Sequence, residues 1–345
     1  MGSRIGRRVA LLLFLLTFIA VVGTLGAHRS PLRAQGARPN ILVILTDDQP
    51  TLGSLGYMPN VNALIRDQGI QFFRGHIANP LCCPSRAALL TGQYSHNNGV
   101  WDNQGDLAEP ALDATIDNTL GAWLQQAGYR TAYVGKWLNN APEKVYPGWT
   151  HFVRLWEGFY DYAINFDSPE RRWFTAGQNQ IECALVGAPF SAAGCYSTDY
   201  LAGVSTRIIR EFAADSQPFF LVYAPYGPHS SQPEDPFNQV VPVPASRHHG
   251  SVDPSVTPVP DGGNSYRFCC DLGLLADRPV FWRNRAATDS QVFDQAFHRR
   301  YWARMAETLM SVDDGVGRIM TTLQEVGVLD NTVVVYYSDN GHMIG

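Results

Sequence analysis

The chain has 345 residues, of which 45% are hydrophobic and 17% are charged, and its formal net charge at pH 7 is -5. This composition excludes an intrinsically disordered protein, because the apolar fraction is large enough to build one large core or two smaller ones. The acidic balance also argues against a nucleic-acid-binding protein, since no surplus of lysine and arginine is available to neutralise phosphates.

The amino terminus has the pattern of an export signal. Arg4, Arg7 and Arg8 precede residues 9–27, which carry no charge, and this order is typical of a signal peptide. The length lies between that of a signal core and that of a minimal membrane span, and Arg7–Arg8 is a weak twin-arginine candidate. We expect residues 1–36 to be a signal peptide, or a retained membrane anchor, with a linker. The body is then exported, periplasmic or extracellular, and meets a membrane only if this segment is retained.

Four segments predict the buried strands of a parallel sheet, because each is a continuous run of apolar, β-branched and aromatic residues. They are residues 40–46, 131–135, 218–224 and 332–338. Helices are predicted over residues 119–127 and 297–326, each ending just before a glycine, Gly128 or Gly327, as helices commonly do. Helix, glycine and strand in this order predict an α/β fold.

Polar side chains follow each of these strands. Ligands of open α/β sheets gather at the carboxyl ends of parallel strands, so these side chains are expected to meet at one edge. Any one of them alone is more commonly a turn residue or a helix cap, and the prediction depends on their occurring together. In chain order they are Asp47, Asp48, Lys136, His229, Asp339 and Asn340.

The acidic and amide side chains of this set predict a site for a hard divalent cation. Asp47, Asp48, Asp339 and Asn340 offer only oxygen ligands, which suit Ca²⁺ or Mg²⁺, whereas zinc more often recruits histidine or cysteine. Clustered carboxylates without a cation would repel each other and raise their own pKa values. We therefore expect a metal ion or a basic partner among them.

Six cysteines fit an exported protein without defining a disulfide framework. Cys183 and Cys195 are separated by a loop-like stretch and could pair, whereas the adjacent Cys269 and Cys270 need other partners or stay free. Nine prolines between residues 225 and 260 predict a long irregular excursion, which either borders the substrate entrance or is an insertion without function.

Residues 80–92 read PLCCPSRAALLTG, which contains the pattern Cys-x-Pro-Ser-Arg-x-x-x-Leu-Thr-Gly. Only Cys82 has proline at the second and arginine at the fourth following position. Taken alone, the two cysteines could be a buried or disulfide-bonded pair before a helix. The pattern resembles the signature of the type I sulfatases, whose cysteine is oxidised after synthesis to formylglycine, and the similarity extends from about Arg38 to Gly345.

The resemblance implies an alkaline phosphatase-like α/β/α sandwich with a mostly parallel central sheet. It also implies that residue 82 becomes an aldehyde hydrate, in which one hydroxyl attacks sulfur and the other expels the product. A formylglycine-generating enzyme is then needed for maturation. Ca²⁺ is the favoured cofactor, with Mg²⁺ as the other choice, and its implied ligands are Asp47, Asp48, residue 82, Asp339 and Asn340.

Three further side chains take roles by resemblance. Arg86 would orient the aldehyde hydrate, and Lys136 would contact the sulfate and the leaving oxygen. His229 would protonate the departing alcohol, since imidazole titrates near neutral pH. His96 and His342 flank motif segments and are second-rank candidates.

The sequence GKWLN at residues 135–139 and Asp313–Asp314 are most similar to N-acetylglucosamine-6-sulfatases. Many arylsulfatases have an active-site histidine where this chain has Leu138. Asp313 and Asp314 are expected to mark a solvated helix face and not a second metal site. The family continues through another substrate-binding lysine and a smaller carboxyl-terminal subdomain, so residues 37–345 are expected to be an incomplete amino-terminal catalytic domain.

The leading hypothesis is therefore an enzyme that hydrolyses sulfate esters of a sulfated carbohydrate, such as N-acetylglucosamine 6-sulfate. One alternative is a phosphonate or phosphate ester hydrolase of the same superfamily. A second alternative is a non-catalytic fragment that binds sulfated glycans.

Overall fold

A seven-stranded, mostly parallel sheet forms the centre of the computed structural model, which describes residues 38–51, 53–103, 117–156, 158–175, 178–230, 240–257 and 295–341. The expected signal segment, Cys269, Cys270 and His342 lie outside these residues. The strand order is β5-β4-β3-β2-β8-β1-β9, and β6 pairs with β7 in a separate small sheet. The strands are β1 Asn40–Thr46, β2 Arg130–Lys136, β3 His151–Leu155, β4 Tyr162–Phe166, β5 Arg171–Phe174, β6 Phe190–Ser191, β7 Gly194–Cys195, β8 Phe219–Ala224 and β9 Thr332–Ser338.

The four predicted strands are confirmed to within one residue at each end and are neighbours in the sheet, as β2, β8, β1 and β9. Adjacent members of this group run parallel, and β3 continues the parallel pairing beyond β2. Strands β4 and β5 are antiparallel additions at one edge. At the other edge, β9 exposes 49% of Val333 and 41% of Val335, so this edge strand is apolar and uncovered in the described part of the chain.

Helices cover both faces of the sheet, as the alternation along β1 illustrates. Leu42 and Ile44 belong to the core that contains the apolar faces of the two long helices, whereas Val43 and Leu45 pack with Leu90 of the helix that begins at Cys82. This arrangement is an α/β/α sandwich, as predicted. The helices are α1 Pro59–Val61, α2 Cys82–Thr91, α3 Ser95–Asn98, α4 Leu120–Gln126, α5 Gln180–Leu185, α6 Ser197–Ala213 and α7 Gln295–Glu325, with short 3₁₀ helices at Ser54–Tyr57, Pro254–Val256 and Leu329–Asn331 and a π-helical turn at Asn62–Arg66.

A disulfide joins Cys183 to Cys195, which confirms the predicted pairing, while Cys82 and Cys83 are free and buried. None of the helices in the described ranges combines the length and the hydropathy that crossing a membrane requires.

The expectation for Asp313 is wrong. Its side chain is buried and accepts hydrogen bonds from the backbone N–H groups of Asn60, at 3.0 Å, and Val61, at 2.8 Å. The carboxylate thus accepts hydrogen bonds from backbone N–H groups that have no partner within α1. Asp314, by contrast, lies on an exposed face, where its Oδ2 contacts Arg247 at 2.8 Å.

His151 at the start of β3 links two elements through its ring. Its Nδ1 lies 2.7 Å from Asp167 Oδ2 and its Nε2 lies 3.1 Å from Glu211 Oε1. The hydrogen bond to Asp167, helped by Glu211, raises the pKa of His151 above its usual value.

Because the folded pKa is raised, the stabilisation by His151 is complete below its unfolded pKa of about 6.5 and is lost as pH rises through the folded pKa. We expect His151→Gln to lower the free energy of unfolding by about 1 kcal/mol near pH 6 and by less near pH 9. Urea unfolding of both proteins at the two pH values tests this, and a difference that grows with pH would contradict it.

Candidate active site

The carboxyl ends of β2, β8, β1 and β9 form the edge at which the predicted polar side chains meet. Thr46 pairs in register with Ser338, so Asp47 and Asp339, the next residues, lie side by side. Lys136, the last residue of β2, reaches across to place its Nζ 2.5 Å from Asp47 Oδ2. The chain thereby brings opposite charges together in a buried position.

Gly135 explains how Lys136 reaches this position. Its φ is +132°, and a Cβ at this residue would lie 1.8 Å from the carbonyl oxygen of Ala224 in β8. Only glycine permits both this backbone conformation and this close approach. The glycine before Lys136 therefore fixes the end of β2 against β8.

Helix α2 presents Cys82 at its first position. The N–H of Cys83 donates to Asn103 Oδ1 at 2.9 Å, and Pro84 is tolerated because it lies in the first turn. The Sγ of Cys82 lies 3.9 Å from Asp48 Oδ1, whereas Cys83 packs into the apolar core. The structure thus distinguishes the two cysteines, and only Cys82 faces the acidic group.

Arg86 lies one turn further along α2 and is fully buried. Its Nε donates to Asp339 Oδ2 at 2.8 Å, its Nη1 donates to the carbonyl oxygen of Lys136 at 2.6 Å, and its Nη2 lies 3.6 Å from Asp47 Oδ1. Burial opposes its charge, but Asp339 and the other nearby acidic groups raise the pKa of Arg86 further. The guanidinium therefore stays charged and holds three parts of the site together.

The two buried carboxylates have opposite pKa shifts. Burial alone would raise the pKa of Asp47, but Lys136 and the other cations hold it below its usual value. Burial raises the pKa of Asp339 to about 6, although Arg86 opposes this. Burial also opposes the charge of Lys136, but Asp47 outweighs it and raises the lysine pKa. Asp47 and Lys136 are thus a charged pair at neutral pH.

Asp48 and His229 form the more open side of the site. Asp48 adopts a left-handed conformation with φ of 64°, which aspartate tolerates better than most residues. Its Oδ2 lies 3.5 Å from His229 Nε2. His229 Nδ1 lies 2.5 Å from the carbonyl oxygen of Ser230, so Nδ1 carries a proton and donates it to this carbonyl, which leaves Nε2 facing the site.

The oxygen donors at this edge fit a hard cation. Among the described residues, ligand atoms of Asp47, Asp48, Cys82 and His229 lie within 4.8 Å of one another, whereas Asp339, which pairs with Arg86, is outside this group. Asn340 donates its amide to Asp48 Oδ1, which leaves its own Oδ1 buried and without a hydrogen-bond partner, as is Asp47 Oδ1. Buried oxygens of this kind are rare unless something binds them, and oxygen ligands suit Ca²⁺ or Mg²⁺.

The surroundings of an unmodified Cys82 favour the neutral thiol over the thiolate. Burial, followed by the negative charge of Asp47, raises the pKa of the Cys82 thiol. A thiolate nucleophile requires the opposite, a depressed pKa beside a cation or an active base. The position therefore differs from that of a cysteine activated as a thiolate nucleophile.

The second-rank candidate His96 is not part of this group, and His342 lies outside the described residues. His96 stacks on Tyr94 with ring centroids 5.8 Å apart and is outside the metal-binding group found among the described residues. Leu138 is buried in the apolar core.

Sequence reasoning missed three supporting side chains. Tyr133 donates to the carbonyl oxygen of Lys136 at 2.5 Å, and Tyr226 stacks on His229 with centroids 4.8 Å apart. Asn103 receives the Cys83 N–H, as described above. Of these three, only Tyr226 could have been found from the sequence, because it lies three residues before His229 in the segment that follows β8.

Acidic and basic side chains pair at the carboxyl edge of this sheet, next to the helix that begins with Cys82. With the mostly parallel sheet, they define an α/β protein of alkaline phosphatase-like fold. The chain belongs to the sulfatase family, whose model matches residues 39–345. It is 33% identical over 326 residues to the extracellular sulfatase SULF-1 homolog of Drosophila melanogaster, covering 90% of this chain and 26% of that protein. It is 29% identical to human N-acetylglucosamine-6-sulfatase, covering 89% and 52%.

Solved structures share the fold. One, described as a complex with its substrate D-glucosamine-2-N,6-O-disulfate, aligns with a TM-score of 0.60 at 23% identity, covering 89% of this chain and 66% of that one. A phosphonate monoester hydrolase of Agrobacterium radiobacter aligns with a TM-score of 0.55 at 20% identity, covering 89% of this chain and 65% of that one. The chain spans 26% and 52% of the two curated relatives named above.

Proposed function

We propose that this protein hydrolyses sulfate esters, with formylglycine formed from Cys82 and a bound Ca²⁺, or Mg²⁺, as its reactive groups. The observation that carries the proposal is the position of Cys82, in a sulfatase-family chain, against Asp48 and within one group with Asp47 and His229.

The proposed substrate is a sulfated sugar such as N-acetylglucosamine 6-sulfate. The similarity to human N-acetylglucosamine-6-sulfatase supports this choice. Leu138, which stands where many arylsulfatases have an active-site histidine, is buried in the apolar core.

The cation, held by Asp47, Asp48 and Asn340 with residue 82 and Asp339 beside them, would supply positive charge for the sulfuryl oxygens. Formylglycine would supply a hydrated aldehyde as nucleophile. Arg86 would orient residue 82 from the next turn of the helix that both share. Lys136 offers a fixed ammonium to the sulfate and the leaving oxygen.

His229 is proposed as the general acid for the leaving alcohol. The Nδ1–H bond to the Ser230 carbonyl holds the ring, so that a proton on Nε2 points into the site beside Asp48. Loss of that proton to the departing oxygen is the step that this geometry permits.

Residues 37–345 are proposed as the amino-terminal part of the catalytic domain, in keeping with the family match over residues 39–345. We further propose that the protein is exported, which the charged and then apolar start of the sequence and the extracellular relative support. Maturation would require a formylglycine-generating enzyme, and residues 1–36 would be a signal or an anchor.

Steady-state rates on 4-nitrophenyl sulfate, N-acetylglucosamine 6-sulfate and a phenyl phosphonate ester test the reaction type. We expect kcat/KM for the sulfate esters to exceed that for the phosphonate by at least about tenfold, in keeping with the match to the sulfatase family and to human N-acetylglucosamine-6-sulfatase. Faster phosphonate cleavage would instead identify a phosphonate hydrolase. If the protein binds a sulfated glycan but releases no sulfate from it, although residue 82 is confirmed to be formylglycine, it is a non-catalytic protein.

A further inference from the structure

A groove with a volume of about 570 Å³ lies between α6 and α7, beside the turn that follows α5. Its charged lining residues are three arginines and one glutamate. Arg207 and Arg210 come from α6, and Arg318 and Glu325 come from α7. None of them belongs to the site at the carboxyl edge of the sheet.

The groove lies towards the opposite, amino edge of the sheet. Glu211, the neighbour of Arg210, pairs with Arg130 at 2.5 Å, and Arg130 is the first residue of β2. A strand of seven residues spans roughly 20 Å. An oxyanion in the groove would therefore be bound separately from the ester at residue 82.

The arginines outnumber the acidic groups that could neutralise them. Arg210 Nη2 pairs with Glu325 Oε2 at 2.6 Å. Arg207 is exposed on the same face of α6, three residues earlier, and makes no ion pair with a carboxylate among the described residues. Arg318 donates from Nη2 to the carbonyl oxygen of Val186 at 2.5 Å, which fixes its guanidinium, and within the described ranges it forms no ion pair at 4.0 Å or less. The groove is thus positively charged, although the whole chain is acidic.

Two glycines give the groove its shape. Gly187 has φ of +63°, and a Cβ there would lie 2.9 Å from Arg318 Nη2. A Cβ on Gly203 would lie 2.3 Å from the carbonyl oxygen of Val186. The chain therefore packs closely at the floor of the groove and leaves room for the arginine head groups above it. Leu185 is 70% exposed at its side.

We propose that this groove binds a sulfate group of a sulfated glycan chain, at a position separate from the ester that is hydrolysed. The choice of a sulfated glycan as the ligand rests on the function proposed above. Guanidinium groups hold tetrahedral oxyanions through paired hydrogen bonds, and Leu185 offers an apolar surface to a sugar ring. A concave groove suits a flexible chain better than it suits a flat membrane surface.

The double variant Arg207→Gln/Arg210→Gln tests the groove, with a labelled sulfated hexasaccharide of N-acetylglucosamine as the probe. We expect its Kd to rise about tenfold or more, and the salt dependence of binding to weaken, because two charge-assisted contacts are lost. The kcat/KM for 4-nitrophenyl sulfate should not change. Arg74→Gln, which removes an exposed arginine elsewhere, is the matched control and should bind like the wild type.

An unchanged Kd in the double variant would overturn the proposal, as would equally tight wild-type binding of the desulfated hexasaccharide. Loss of binding to phosphatidylglycerol vesicles but not to the hexasaccharide would also overturn it and would indicate a lipid surface. Binding and turnover are measured separately, so groove-dependent binding without hydrolysis would refute the proposed activity alone. Hydrolysis without groove-dependent binding would refute this inference alone.

Discussion

Replacing Cys82 with alanine is expected to reduce hydrolysis of sulfate esters by about 10³-fold or more. The side chain begins α2 and faces Asp48, where alanine supplies neither an aldehyde nor any other nucleophile. Because the change removes a single buried atom, the free energy of unfolding should fall by only about 1 kcal/mol. Rates on 4-nitrophenyl sulfate and a urea unfolding curve measure both effects.

Cys83→Ala is the matched control, since the two cysteines are adjacent and both buried. Residue 83 packs among apolar side chains, so its variant should lose a similar amount of stability and retain turnover. Equal activity of the two variants, or full activity of Cys82→Ala, would remove Cys82 from the mechanism.

Asp47→Asn is expected to have the largest effect on stability. The carboxylate is fully buried, 2.5 Å from Lys136 Nζ and 3.6 Å from Arg86 Nη2. The neutral amide of asparagine would leave both cations without this negative charge. Removing one partner of a buried ion pair costs about 3–5 kcal/mol. In a chelator-containing buffer, the free energy of unfolding should fall by this amount.

The same variant should also weaken the stabilisation that added Ca²⁺ gives to the wild type, because a ligand that binds only the folded state raises its stability. Asp67→Asn is the control: this carboxylate pairs with Arg66 at an exposed position, so its loss should change stability by less than about 0.5 kcal/mol. Unchanged stability and an unchanged calcium effect in Asp47→Asn would contradict the assignment.

The central strands could be predicted because each is buried on both faces, which demands a continuous apolar run, as in NILVILT. Strands β3 to β5 could not. They are short, and β5 exposes three of its four residues, two of them arginines. Strands β4 and β5 pair antiparallel at the sheet edge, and no local pattern specifies such pairing.

The site residues also divide into those that could be predicted and those that could not. Residues directly after a strand could be predicted because the carboxyl ends of parallel strands converge. Asn103, which lies in a loop, and Tyr133, which lies inside β2, could not. Asp313 was assigned wrongly because two adjacent acidic residues on a helix usually indicate a solvated face. Its burial depends on α1, more than two hundred residues earlier in the chain, and only the tertiary structure brings these elements together.

The mass of residue 82 is the most direct test of this account. Trypsin should release residues 75–86 as one peptide, GHIANPLCCPSR, from protein produced together with a formylglycine-generating enzyme. Conversion of the thiol to the aldehyde nucleophile lowers the mass by about 18 Da, and fragmentation should locate the change at residue 82 and not at residue 83. An unmodified thiol at residue 82, under conditions that convert a control sulfatase, would contradict the proposed mechanism.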